Sequence, residues 1–176
     1  MFKKILIIFL GVMCVIMAKP VKKASASSSK FITIETSQGN VVIETLPKIA
    51  PKHVKRIKEL VKDKFYDGII FHRVIEGFMA QTGDPDGVGT GGSGKNLKAE
   101  FSDYEYKYGT VGMARSMSPD SGDSQFFICF DGCSHLTGQY TVWGQVVSGM
   151  DAVEKLAIGE PPSSPDKMIT VRIGKK

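Results

Sequence analysis

The sequence is poor in the residues that most metal sites and covalent catalytic sites require. Only three cysteines and three histidines occur among 176 residues. No two histidines have the spacing of metal ligands, and Cys129 and Cys133 lack the partners that a zinc site needs. No glycine-flanked serine elbow is present, and the acidic side chains are scattered. We therefore expect neither a metal nor a cofactor, and neither a serine hydrolase nor a carboxylate-based hydrolase.

Long apolar runs are also absent, apart from one of about 14 residues at 5–18, which is short of the roughly 20 that a transmembrane helix needs. Two lysines precede this run, and small residues follow it at 24–26. The pattern predicts a secretory signal peptide over residues 1–26 and a Ser-rich linker over 27–30. An uncleaved membrane anchor is the main alternative. A lipidated Cys14 is a weaker one, because a bulky methionine precedes it.

An excess of positive charge is absent once the N-terminal segment is set aside. The formal net charge is +5, but six of the 23 basic residues and none of the 18 acidic residues lie in the first 30 positions. The remaining 17 basic and 18 acidic side chains nearly balance. The charge thus gives no argument for a nucleic-acid partner. The length suggests one domain over residues 31–176, with a monomer as the default expectation.

The two cysteines of this domain are four residues apart. In an oxidising compartment Cys129 and Cys133 could form a disulfide, but the short spacing makes the geometry demanding. We expect two unpaired, partly buried thiols, with the disulfide as the alternative.

Strand-like segments dominate residues 31–176. Residues 31–36 and 41–44 alternate in polarity around a turn, which predicts a hairpin. One helix is predicted to open at Pro51, and a second near residue 150. Further strands are predicted at 69–74, 78–82, 110–115, 125–130, 141–147 and 168–173. Many strands and only two helices predict a mainly β fold, a closed antiparallel barrel whose ends the helices cover.

A glycine-rich segment at 89–96 comes close to a phosphate-binding loop. Its glycines and Lys95 fit that pattern, but Asn96 stands where a serine or threonine would hold magnesium. The segment does not follow a buried strand, and the residues after it are too few for the required helix. We therefore expect a glycine-rich surface loop beside a binding groove rather than a nucleotide site.

Two apolar, strand-like runs carry polar groups that can hydrogen-bond an amide. Arg73 offers a planar fork of donors, and Gln81 and Gln125 each offer a donor and an acceptor. Deformable apolar walls would come from Phe78, Met79 and Phe127. Neither run, at 71–81 and at 124–128, has an obvious nucleophile, carboxylate pair or metal-ligand cluster. This predicts a site that holds a peptide and disturbs its amide without breaking a covalent bond. The alternative for Arg73 is a structural salt bridge at a strand end, with its stem covering apolar surface.

The same segments resemble the cyclophilin-type peptidyl-prolyl isomerases over nearly all of residues 31–176. The resemblance rests on the blocks 66–75, 77–84, 89–92, 112–115, 124–129 and 136–146. It implies an eight-stranded antiparallel barrel capped by two helices, with a peptide groove on the outer face. It also implies isomerase activity on proline-containing polypeptides. The compact loops are similar to those of short bacterial members.

The resemblance further implies a role for each candidate site residue. Arg73 would be the main catalytic residue, and Gln81 and Gln125 would contact the peptide backbone. The proline pocket would consist of Phe78, Met79, Phe127 and Leu136. The substrate would also meet Ala114, Arg115 and Tyr140.

Four positions differ from the best-known eukaryotic pattern. His135 replaces a tryptophan, Tyr140 a histidine, Arg115 an asparagine and Glu76 a common proline. The tryptophan is associated in the family with tight cyclosporin binding, so we expect weak inhibition by that drug. Together with the N-terminal segment, the resemblance implies an exported isomerase that assists folding in the bacterial periplasm, either free or anchored to the membrane. The alternative function is a non-catalytic chaperone module that binds proline peptides in the same groove.

Overall fold

The computed structural model describes residues 29–174, which fold around one antiparallel sheet. Its strands are β1 (Phe31–Thr36), β2 (Gly39–Thr45), β3 (Arg73–Ile75), β4 (Met79–Thr82), β5 (Thr110–Met113), β6 (Phe126–Cys129), β7 (Val142–Ser148) and β8 (Met168–Gly174). The helices are α1 (Pro51–Lys62) and α2 (Met150–Glu154). The predicted signal peptide and the first half of the predicted linker lie outside the described residues. Within 29–174, no helix is long and apolar enough to cross a membrane.

The sheet curls into a barrel whose seam is only partly paired. The strand order is β3-β4-β6-β5-β7-β2-β1-β8, which leaves β3 and β8 as the edges. Across the seam, Ile70 and Lys167 form an isolated antiparallel bridge. The amide of Met168 donates to the carbonyl of Ile69 at 2.8 Å, and that of Phe71 donates to the carbonyl of Asp166, also at 2.8 Å.

The predicted fold class is therefore confirmed, with one correction. Eight antiparallel strands and two helices are present, but the barrel is not fully closed. The strand predicted at 69–74 is wrong for its first part, since β3 pairs with β4 only from Arg73 to Ile75. Residues 69–71 instead hydrogen-bond across the seam, and this use of their backbone is what shortens β3.

The core and the outer face of the sheet share the same strands. In β6, Phe126 lies in the main core, where its ring meets Tyr66 and Trp143 edge-on at centroid distances of 5.6 and 5.4 Å. The next residue, Phe127, belongs to a second apolar cluster. Successive side chains of a strand point to opposite faces. One strand thus supplies both the core and the wall of an outer site.

Helix α1 is capped by a residue from a distant loop. Its N-cap residue, Ala50, offers no side-chain cap. The carboxylate of Glu100 accepts hydrogen bonds from the backbone amides of Lys52 and His53, and its Oε2 lies 2.7 Å from Nδ1 of His53. His53 is buried, so this histidine serves the packing of the helix. Burial alone would raise the pKa of Glu100. The hydrogen bonds from His53 and the two amides have the larger, opposite effect, so the pKa lies below its ordinary value.

We predict that Glu100→Gln destabilises the fold at neutral pH and not in acid. Because the folded pKa of Glu100 is depressed, its charge adds stability above the unfolded pKa of about 4.3, and this is lost as pH falls through the folded value. The loss at pH 7 should be about 1–3 kcal/mol. Denaturant unfolding at neutral and acidic pH measures it. Glu105→Gln, at an exposed carboxylate, should change nothing, and an equal loss at both pH values would contradict the prediction.

Candidate active site

A cavity of about 290 Å³ opens on the face of the sheet opposite the main core. The residues that line it are Arg73, Phe78, Met79, Gln81, Ala114, Arg115, Phe127, His135, Leu136 and Tyr140. Nine of the ten residues predicted to form the site are among them. The exception is Gln125, and His135 is the additional lining residue.

The register of four strands brings the central residues together. Arg73 of β3 pairs with Gln81 of β4, Gln81 pairs with Phe127 of β6, and Phe127 pairs with Gly112 of β5. Directly opposite residues share one face of a sheet, so the side chains of Arg73, Gln81 and Phe127 form a row across the outer surface. At Gly112 a Cβ atom would come within 2.5 Å of the Phe127 ring. The missing side chain leaves room for that ring to lie over the sheet.

The apolar walls are held by ring contacts. Phe127 stacks on Tyr106 with a centroid distance of 5.8 Å and meets Tyr140 edge-on at the same distance. Phe78 stacks on His135 at 5.5 Å. Such pairs restrict the rings beyond the effect of simple burial. The cavity is therefore shaped before a ligand enters.

The guanidinium of Arg73 is held on two sides. Its Nε donates to Oε2 of Glu160 at 2.5 Å. Its Nη1 lies 3.9 Å from the sulfur of Met79 and 3.5 Å from Oε1 of Gln81. The salt bridge considered as a structural alternative is thus present, yet the same side chain lines the cavity. Glu160 was not singled out from the sequence, because no local pattern links it to a residue 87 positions earlier.

A second cavity of about 560 Å³ adjoins the first and shares Gln81, Ala114 and Arg115 with it. Gln125 lines this second cavity. Its Oε1 accepts from Nε2 of Gln81 at 2.9 Å, and its Nε2 donates to the carbonyls of Gly89 and Gly91. Gln125 therefore connects the row of site residues to the glycine-rich loop.

Two carboxylates accept hydrogen bonds from several backbone amides in and beside this loop. Asp84 accepts from the amides of Val88 and Gly89, and Asp123 accepts from those of Gly94 and Lys95. Burial alone would raise the pKa of Asp84, but backbone hydrogen bonds from Asp86, Gly91 and Gly89 outweigh it, so the pKa lies below its ordinary value. Amides paired with carboxylates cannot cradle a phosphate. The loop lines a groove, as the sequence predicts.

Arg115 forms part of the boundary between the two cavities. Its guanidinium lies 4.4 Å from the centroid of the Tyr140 ring, in the arrangement of a cation–π contact. It also donates to the carbonyls of Gln139 and Ser116. These contacts immobilise a side chain that would otherwise be free to move across the groove.

Comparison with known proteins agrees with this geometry. The family model described as "Cyclophilin type peptidyl-prolyl cis-trans isomerase/CLD" matches residues 31–174. The chain belongs to this family. It is 48% identical over 167 residues to a probable peptidyl-prolyl cis-trans isomerase of Brucella abortus, covering 85% of each chain. It is 40% identical over 144 residues to a peptidyl-prolyl cis-trans isomerase of Helicobacter pylori, covering 80% of this chain and 88% of the relative.

Solved structures of cyclophilins have the same fold. A Cryptosporidium parvum cyclophilin-type isomerase, crystallised in the presence of the dipeptide Ala-Pro, has a TM-score of 0.78 and 27% identity, covering 83% of this chain and 99% of the other. The cyclophilin AquaCyp293 of Hirschia baltica has a TM-score of 0.75 and 29% identity, covering 83% and 74%. The predicted family and enzyme class are thus confirmed, and the protein is a cyclophilin-type peptidyl-prolyl cis-trans isomerase.

One wall of the cyclophilin pocket is tied to the sheet by a disulfide. A short 3-10 helix, Asp131–Leu136, carries His135 and Leu136, and the disulfide joins Cys133 within it to Cys129 of β6. The expectation of two unpaired thiols is wrong. The 3-10 helix turns the chain back over the end of β6 and brings the two Cα atoms to 6.0 Å, within the usual span of a disulfide.

We predict that Cys133→Ser lowers the melting temperature and weakens catalysis modestly. The disulfide closes a loop of only a few residues, so its loss should cost about 2 kcal/mol. It should also loosen the pocket wall formed by Leu136. Thermal unfolding with and without dithiothreitol measures the effect. Cys129→Ser should match it, the double variant should not respond to reductant, and a wild-type protein indifferent to reductant would contradict the prediction.

Proposed function

We propose that Arg73 is the catalytic hydrogen-bond donor of this cyclophilin and that the smaller cavity binds the substrate proline. Rotation about an X–Pro bond is slow because it breaks amide resonance, at a barrier of about 18–20 kcal/mol. In the twisted transition state the nitrogen regains its lone pair. A donor aimed at that nitrogen binds the twisted form better than either planar isomer, and this difference accelerates the step.

The observation that carries the proposal is a fixed guanidinium beside a cavity with apolar walls at Phe78, Met79, Phe127 and Leu136. Nη1 of Arg73 lies against Met79 and Gln81, which both line that cavity. Met79 and Phe127 are almost fully buried, so the walls exclude water where the lone pair develops. The ten lining residues include no serine, cysteine, aspartate or glutamate. Such a lining suits a reaction that forms and breaks no covalent bond.

We propose that the other site residues hold an extended proline-containing polypeptide. Phe78, Met79, Phe127 and Leu136 would grip the proline ring. Gln81 and Gln125, hydrogen-bonded to each other, would lie along the substrate backbone together with Ala114 and Arg115. The solved relative crystallised with Ala-Pro supports a proline dipeptide as the minimal ligand class.

We predict that Arg73→Ala lowers kcat/KM by about 100-fold or more, the loss typical of one transition-state donor. Arg73→Lys should recover little, because lysine lacks the planar fork of donors. The measurement is the isomerisation rate of a proline peptide with the purified chain. Arg172→Ala provides a matched control. Arg172 lies on β8, pairs with Asp67 and is outside both cavities.

Two outcomes would contradict this mechanism. Equal rates for the wild type and Arg73→Ala would remove Arg73 from catalysis. Saturable binding of the peptide by the wild type, without any acceleration of isomerisation, would favour the non-catalytic chaperone module instead.

We further propose that the protein is exported, with the periplasm as its compartment. Two features support this. Residues 1–26 have the basic start, apolar run and small-residue exit of a signal peptide. The Cys129–Cys133 disulfide belongs to a class of bond that persists in oxidising compartments. Its clients would then be exported polypeptides with proline in extended segments.

We predict that the mature protein begins close to Ser27 and is found in the soluble periplasmic fraction. The reason is that the residues at 24–26 are small enough for signal cleavage. N-terminal sequencing and intact mass of the protein from fractionated cells provide the measurement. An intact N-terminus in the membrane fraction would instead identify the apolar run as an anchor, and intact protein in the cytoplasm would contradict export.

A further inference from the structure

The closest contact of the Arg73 guanidinium is made by Glu160, in the loop between α2 and β8. The carboxylate Oε2 accepts from Nε at 2.5 Å. The next polar contact, from Nη1 to Oε1 of Gln81, is 3.5 Å, at the outer limit of a hydrogen bond. Hydrogen bonds between charged groups are short and directional. Of the groups around Arg73, Glu160 therefore constrains the guanidinium most strongly.

The backbone places Glu160 opposite Arg73. Val74 and Gly159 form an isolated antiparallel bridge, in which the amide of Val74 donates to the carbonyl of Gly159 at 2.9 Å and the reverse bond is 3.0 Å. In antiparallel pairing, the residue before Val74 faces the residue after Gly159. Arg73 and Glu160 are thus cross-strand neighbours, although the sheet proper ends at β3.

The loop that carries Glu160 is tightly constrained. Gly159 has a φ of +150°, and a Cβ atom there would come within 2.6 Å of the Cα of Pro162. Two prolines follow Glu160, and their rings restrict φ. Pro162 is buried against the domain. The carboxylate is therefore presented from a fixed backbone rather than from a free surface loop.

We propose that Glu160 is a positioning residue that orients Arg73 for catalysis. The inference rests on the proposed role of Arg73. Glu160 holds Nε on one side of the guanidinium, while Gln81 and Met79 contact Nη1 on the other. Two such contacts fix the plane of the group. Among residues 29–174, Nη2 has no hydrogen-bond acceptor, so it stays available to the substrate.

Stability and catalysis should respond differently to the loss of Glu160. The side chains of Arg73 and Glu160 are 37% and 53% exposed, and an ion pair so open to water stabilises a fold little. Orientation is a separate matter, because a donor displaced by a fraction of an ångström loses much of its effect on the transition state. A carboxylate also weakens the positive potential of Arg73. If that effect dominated, removal of Glu160 would accelerate the reaction.

The test compares Glu160→Ala, Glu160→Gln and a control, Glu76→Ala, in the purified full chain. Glu76 is an exposed carboxylate on the turn after β3 and lines neither site cavity, so its removal changes the charge equally. We expect Glu160→Ala to lower kcat about fivefold, with KM within about twofold of wild type, because Glu160 orients the donor without contacting substrate. Glu160→Gln, which keeps an acceptor for Nε, should restore most of the rate. Glu76→Ala should match the wild type, and all melting temperatures should agree within a few degrees.

Coupling to Arg73 separates positioning from a structural role. In an Arg73→Ala background, Glu160→Ala should have no further effect on the residual rate. By NMR, the Nε–H proton of Arg73 should be shifted downfield and protected from exchange in the wild type and Glu160→Gln, but not in Glu160→Ala. That signature tests the pair even if the wild type proves inactive, an outcome that would overturn the catalytic proposal instead.

Four results would overturn the positioning role. The first two are an unchanged or faster kcat in Glu160→Ala and a rise in KM alone. The third is a loss of rate from Glu160→Ala that is as large in the Arg73→Ala background as in the wild type. The fourth is an Nε–H proton of Arg73 that does not respond to Glu160→Ala.

Discussion

The site depends on the antiparallel register of β3, β4, β6 and β5. That register places Arg73, Gln81, Phe127 and Gly112 opposite one another in a single row. A slip of one residue in any of these pairings would send a whole set of side chains to the opposite face. The main core prevents such a slip, because Phe126 and Ile128 of β6 are buried on the inner side. Packing on one face of the sheet thus sets the chemistry on the other.

Secondary contacts then convert the row into a shaped groove. Gln125 ties Gln81 to the glycine-rich loop, whose amides are held by buried or partly buried carboxylates. The disulfide ties the 3-10 helix with His135 and Leu136 to the end of β6. Each of these contacts reduces the freedom of a wall before substrate arrives. Preorganisation of this kind suits a reaction whose catalysis consists of binding a twisted amide better than a planar one.

Much of the fold was predictable from local patterns. Alternation of polarity located most strands, and the spacing of Val54, Ile57 and Leu60 located α1, because both patterns reflect burial of one face of one element. Local patterns missed the features that depend on a distant backbone partner. Residues 69–71 look like a strand but hydrogen-bond across the barrel seam, and α1 takes its cap from Glu100. Neither partner leaves a mark in the neighbouring sequence.

The sequence alone determined the mainly β architecture, the family and nine of the ten cavity-lining residues, since ordered blocks of side chains encode them directly. Only the tertiary structure decided the ion pair of Arg73 with Glu160, the placement of Gln125 in the second cavity and the pairing of Cys129 with Cys133. The ion pair and the placement of Gln125 both depend on segments that are far apart in the chain. The third depends on how a short loop turns. Their geometry arises from the register of the folded sheet and the path of its loops, which no local pattern specifies.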